Sequence, residues 1–258
     1  MGRGLSRALA VAANTFRETV RERVLYNLVF FAILMTLAGL VLGQLSIRQD
    51  EKILKDIGLA AMDLFGVLIA VFIGTGLVSK EIERRSLYPL LAKPLSRSEF
   101  FLGKFAGLGF TLFVNLSVML LGLLLTLGAT GRRPDVGLLT AVYPLFLGLL
   151  LVVAFAMLFS TLTSSTLAVV LTVGVVVVGR FADVIRGMRE VLPGVPQQLT
   201  KALFALVPNF ANFDFKSQVA YGEAVSAGIL AWVTLYAAAW TLIVLGLGLA
   251  SFRSRDFQ

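Results

Sequence analysis

Residues Leu138–Leu162 read LLTAVYPLFLGLLLVVAFAMLFSTL, an apolar stretch without one charged side chain. A helix needs about 20 such residues to cross a bilayer, and a helix apolar on every side belongs in lipid or in a large core. Similar stretches lie on either side: Tyr26–Leu45, Ile57–Val78, Phe100–Leu127, Leu167–Val178 and Val225–Phe252. The fifth in chain order, Leu167–Val178, is short and β-branched, and its helix is expected to extend to about Phe181. The whole chain agrees, with 258 residues, 58% hydrophobic and 15% charged, and a mean hydropathy of +0.89. A soluble domain sits near 45–50% apolar and about 25% charged, and a chain this short cannot hide the excess in one core. The expected fold is therefore an all-α integral membrane protein with six transmembrane helices, residues 1–258 forming a single transmembrane domain.

Two further segments frame the six spans. At the start, Leu5, Ala8, Leu9, Ala12, Phe16 and Val20 fall on one helical face, with Arg3, Arg7, Arg17, Glu18 and Arg21 opposite. This pattern predicts an amphipathic interfacial helix over residues 1–24. A secretory signal would need a longer apolar run and no charge cluster where cleavage falls. Before the last span, residues 182–224 carry two short apolar-periodic runs, Val184 to Leu192 and Leu199 to Val207. Pro193-Gly194-Val195-Pro196 separates them. They are too short to span and too apolar for free solution, which predicts an external or re-entrant helical pair. Residues 46–56 read as a mixed-charge loop. Six spans place both termini on one side, with thirteen Lys and Arg against six acids. The other side has ten against eight, Asp63 left aside. The bias puts the termini and the loop 79–98 in the cytoplasm.

What is missing narrows the chemistry. The chain has no His and no Cys, which removes His-based metal sites, hydrolytic triads, thiolate nucleophiles and disulfides. No Gly-x-x-x-x-Gly-Lys-Ser/Thr loop occurs, so ATP is not bound by that route. A membrane-embedded hydrolase would want an acid pair, and Asp63 is the one acid within a span. The net charge of +8 fits basic loops on anionic lipid rather than nucleic acid.

The loop 79–98 is the most informative segment. Lys80-Glu81-Ile82-Glu83-Arg84-Arg85 continues the second span out of the membrane as a good helix former, and Pro89 breaks it. Leu90, Leu91 and Leu95, beside Lys93, Pro94 and Arg97, then make a short apolar knob ringed by charge. A solvated basic loop has no need of two prolines and four leucines. Glu81 stands i, i+3 from Arg84 and i, i+4 from Arg85, so both pairs can bridge along one face.

Gly74-Thr75-Gly76, the Lys80–Arg85 run, Leu90-Leu91-Ala92-Lys93-Pro94-Leu95-Ser96-Arg97 and Gly103-Lys104 together resemble the coupling-loop junction of type-2 ABC exporter permeases. The resemblance is strongest to the branch that contains the permease for nitrous oxide reductase (multicopper-enzyme) maturation. Val207-Pro208-Asn209-Phe210-Ala211-Asn212-Phe213-Asp214 and the Ser160–Ser165 turn are also similar to that branch. The resemblance implies a homodimeric permease in a prokaryotic inner membrane that is not itself an enzyme. A separately encoded ABC ATPase subunit would carry ATP and Mg, leaving no cofactor in this chain. It further implies that Lys80, Glu81, Glu83, Arg84, Arg85, Leu90, Leu91, Lys93, Pro94, Leu95 and Arg97 meet that ATPase. A stand-alone secondary transporter or channel is the competing reading, and a neighbouring gene for a nucleotide-binding subunit separates the two.

Other residues carry two readings each. Asp63, six residues into its predicted span, belongs either to a translocation path or to a structural pair with a basic residue. Gly39 and Gly43 form Gly-x-x-x-Gly, a possible dimer contact that chance spacing also produces. Phe210, Phe213 and Phe215 read as interface anchors, and Lys104 as a lysine snorkelling to headgroups.

Overall fold

The computed structural model describes residues 2–22, 30, 31, 33–35, 37, 50–83, 96–129, 131, 137–182 and 207–254. Within these, the elements are α1 (Gly2–Glu22), α2 (Asp50–Glu83), α3 (Arg97–Ala129), α4 (Gly137–Leu162), α5 (Ser165–Arg180), a 3-10 turn (Phe210–Phe213), α6 (Lys216–Ala220) and α7 (Ala227–Ser254). The all-α membrane architecture holds. Among the described residues α2, α3, α4 and α7 are long and apolar enough to cross a membrane, and α5 is a shorter apolar helix. Most of the first span, Gly39 and Gly43 included, lies outside the described residues. So do 183–206, where the helical pair was expected.

The hub is α4, which packs against α2, α3, α5, α6, the 3-10 turn and α7. Its apolar sequence suits that position, because every face meets protein or lipid and none meets water. Glycines bring α2 close to it: a Cβ on Gly66 would stand 2.5 Å from the Leu149 side chain, and one on Gly74 2.6 Å from the Ala156 Cβ. With no hydrophobic drive between helices in lipid, association rests on such close contact. The periphery is α7, with Leu235, Leu242 and Ile243 exposed. A Tyr143–Thr234 hydroxyl bond at 2.8 Å ties it to α4.

α1 packs lengthwise on α3 with the same chain direction, through a face of small and polar residues: Thr15 and Thr19 are buried, and Leu9 of the expected apolar face is exposed. Ala8 and Val11 meet Gly103, Ala12 and Thr15 meet Gly107, and the Phe16 and Phe110 rings lie edge-on at 4.8 Å. Two glycines four apart make the notch, a second Gly-x-x-x-Gly that sequence reading passed over.

Three expectations need correction. The residues from Asp50 to Asp56 are not a loop, since α2 begins at Asp50. Lys55 is buried and pairs with Glu51 at 2.8 Å, i, i+4, and Lys52 lies over the Tyr221 ring at 5.1 Å. These partners let the helix continue through its charged end. Lys104 does not reach out to headgroups: it is buried, its ammonium 5.0 Å from the Phe100 ring centroid. Phe210, Phe213 and Phe215 are core residues rather than interface anchors, because Gly148 and Gly179 leave hollows for the first two.

Candidate functional site

An ion-paired cluster joins α2, α5 and the segment 207–220. Because α2 starts at Asp50, Asp63 stands more than three turns, about 20 Å, along it. It is 7% exposed. Arg180 closes α5 and reaches Asp63 as a fork, Nη1 donating to Oδ2 at 2.8 Å and Nη2 to Oδ1 at 2.5 Å. Two parallel charge-assisted bonds are the strongest pairing that a carboxylate accepts from a side chain. Lys216, the first residue of α6, donates from Nζ to Asp63 Oδ2 at 2.6 Å. The same ammonium lies 3.2 Å from Asp214 Oδ2. The four groups sum to zero charge, which is how a protein keeps ions in a low-dielectric place.

Local sequence explains how Lys216 gets there. Pro208 and Asn209 stop the preceding run, and the Asn209 carboxamide oxygen accepts from the Ala211 N–H at 2.9 Å to cap the 3-10 turn. The Asn209 N–H donates to the Tyr236 hydroxyl of α7 at 2.8 Å. Phe213 then seats on Gly148 of α4 and Phe210 on Gly179 of α5. An added Cβ would stand 3.2 Å from Phe213 at the first glycine and 2.5 Å from both Phe210 and the Pro208 carbonyl at the second. Asp214 accepts from the Lys216 N–H at 3.2 Å and starts α6.

Between this segment and the helices is a cavity of about 110 Å³. Val67, Leu149 and Val152 line it from the helices and Phe210 and Phe213 from the segment, with the ion cluster along its side. It is an apolar chamber with one charged wall.

The structure brings Asp63 together with Arg180, Lys216 and Asp214; of these the sequence had marked Asp214 alone, as the end of the Val207–Asp214 stretch and not as a partner of Asp63. The signal was partial: an acid inside an apolar run demands a cation, but the cations lie 117 and 153 residues away. Of the loop residues, Lys80, Glu81 and Glu83 fall on the last turns of α2, with their side chains outside the described residues. Arg84, Arg85, Leu90, Leu91, Lys93, Pro94 and Leu95 lie outside them altogether. Arg97 is described: it is exposed and donates to the Arg253 carbonyl at 3.0 Å, a cation at the C-terminus of α7. The loop ends in a reciprocal capping box, Ser96 N–H to Glu99 Oε2 at 2.9 Å and Glu99 N–H to Ser96 Oγ at 3.2 Å.

Comparison with known proteins agrees with this architecture. No curated protein matches the chain. A family model described as ABC-2 family transporter protein matches residues 9–257, a stretch that takes in the cluster, the loop and α2 to α7 entire. The chain is thus a multi-pass membrane protein of the ABC-2 transporter family.

Proposed function

We propose that the chain is the permease subunit of an ATP-binding-cassette exporter, driven by ATP hydrolysed with Mg on a separate nucleotide-binding subunit. It works as a homodimer in a prokaryotic inner membrane, with both termini and the loop 79–98 cytoplasmic. The observation that carries the reading is the family match over residues 9–257. The absence of a phosphate-binding loop from the chain and the leucine–proline knob of residues 90–95 support it. In this reading Lys80 to Arg85 and the knob meet the ATPase. Gly39 and Gly43 face the second copy, and Asp63 stands on the translocation path. Within the family, residues 74–104 and 207–214 favour the branch that contains the nitrous oxide reductase maturation permease.

One rigid element suits the mechanism. From Asp63 to Glu83, α2 is uninterrupted, about 30 Å of helix at 1.5 Å per residue. A push on the loop that follows Glu83 is therefore delivered, without a hinge, to the ion cluster and its cavity.

The test is co-purification with a separately encoded nucleotide-binding subunit. Leu91→Asp puts an unpaired charge into the docking knob, a loss of several kcal/mol and of orders of magnitude in affinity. The permease still inserts, because the change lies outside the bilayer. Recovery of the ATPase at undiminished yield overturns the docking assignment, whereas no recovery with the unsubstituted chain favours a stand-alone transporter or channel.

A further inference from the structure

We propose that residues 207–220 are a lid on the cavity, latched to α2 by the Lys216–Asp63 pair, and that the lid opens by passing Lys216 from Asp63 to Asp214. The proposal rests on the transport reading only for its purpose, not for its geometry.

The argument begins with an excess. Asp63 is already neutralised by the Arg180 fork, which occupies both of its oxygens. A static staple has no need of a second cation, still less of one that brings its own acid. Yet Lys216 sits between Asp63 Oδ2 at 2.6 Å and Asp214 Oδ2 at 3.2 Å. The four charges divide by where they are attached. Asp63 and Arg180 belong to α2 and α5; Lys216 and Asp214 belong to the segment that covers the cavity. When that segment moves away, the helices keep a neutral bidentate pair and the lid keeps a neutral Lys216–Asp214 pair. No buried charge is left alone at any point, so the cost that makes most buried ion pairs hard to break is avoided.

The segment is built to move as a unit. Its underside is Phe210 and Phe213, which rest on Gly179 and Gly148, with the Phe213 ring also 6.0 Å from that of Tyr236 on α7. Its far end is the Tyr221–Gly222 turn, where Gly222 has φ +78 and the chain reverses into α7. The shorter of the two Lys216 contacts is the one to Asp63, so this conformation is the latched one. A shift of α2 along its axis, transmitted from the loop after Glu83, carries Asp63 away from Lys216 and leaves Asp214 as the better partner.

Val152 lines the cavity and is 1% exposed. In a chain without Cys, Val152→Cys is a single reporter of opening. The purified protein in nanodiscs is treated with N-ethylmaleimide, an uncharged probe whose rate does not follow the local potential. Adding Lys216→Met removes the latch and raises the labelling rate about tenfold or more, the factor that one charge-assisted hydrogen bond carries. Adding Asp214→Asn lowers the rate, because the open lid loses its place for Lys216. Asn keeps an oxygen for the Lys216 N–H, and Asp214 is half exposed, so this variant folds whether or not Lys216→Met does. An unchanged rate in Lys216→Met, or a rate raised by Asp214→Asn, overturns the lid. The assay needs neither nucleotide nor ATPase, so its failure leaves the transport reading standing, and failure of the Leu91→Asp test leaves the lid standing.

Discussion

Replacing Gly107 by Ala tests whether α1 is held by close backbone contact with α3. A Cβ at Gly107 would lie 2.7 Å from the Ala12 carbonyl oxygen, 2.8 Å from the Thr15 Cβ and 3.1 Å from the Ala12 Cα. Two of these atoms are backbone and cannot rotate aside. Relief requires α1 to withdraw by about 0.7 Å, a gap that forfeits a quarter to a half of each dispersion contact it opens. Overpacking of this kind costs about 1–3 kcal/mol, set against about 1 kcal/mol gained because Ala is the better helix former. Gly76 on α2 is the control, since a Cβ there meets nothing within 4 Å and Gly76→Ala collects the propensity gain alone. The difference between the variants is therefore the overpacking itself. Tryptic cleavage after Arg17, an exposed residue of α1, reads it directly, because cleavage there requires the helix to undock and unwind. Relative to Gly76→Ala, Gly107→Ala should be cut about 5 to 150 times faster, the range that 1–3 kcal/mol spans. Equal rates would show that the notch does not hold α1.

Asn115, buried in the middle of α3, has no partner among the described residues for either end of its carboxamide. Asn115→Leu removes an unmet desolvation cost of about 1–3 kcal/mol, and the thermal midpoint in detergent should rise; a fall would show that the amide is bonded in the native membrane state. Asp63→Asn leaves Arg180 and Lys216 facing a neutral amide, a loss of about 3–5 kcal/mol. Lys216→Met leaves the Asp63–Arg180 fork intact and should cost much less in the same melt; equal losses would contradict the division of the cluster into two neutral pairs.

The spans among the described residues were legible because the bilayer imposes one demand on every residue along them. Leu138–Leu162 satisfies it so fully that α4 departs from the expected bounds by one residue. Legibility fails where charges join a helix. The apolar signal of α2 begins at Ile57, yet the helix begins at Asp50, because Glu51 and Lys55 satisfy each other one turn apart and Lys55 is buried. Such pairing is local and was readable, as was the Ser96–Glu99 box. The partners of Asp63 were not, because an ion pair across 117 residues leaves no trace in spacing.

The glycines separate what sequence shows from what it hides. Gly103 and Gly107 display the spacing of a close-packed face, and that face is filled by a helix of the same chain. Gly148 and Gly179 show no pattern at all, lying on different helices, and each is half of a contact whose other half is a phenylalanine beyond residue 207. Reading Phe210 and Phe213 alone, with a bilayer nearby, leads to interface anchors. With the hollows beside them, the same rings become the underside of a cover on a chamber. A large side chain resting in a glycine hollow can lift out as a piece, whereas interdigitated side chains would have to change rotamer one by one. What fastens such a cover must then be strong, few in number and reversible without stranding a charge. Lys216, with an acid on each side of the seam, meets all three conditions.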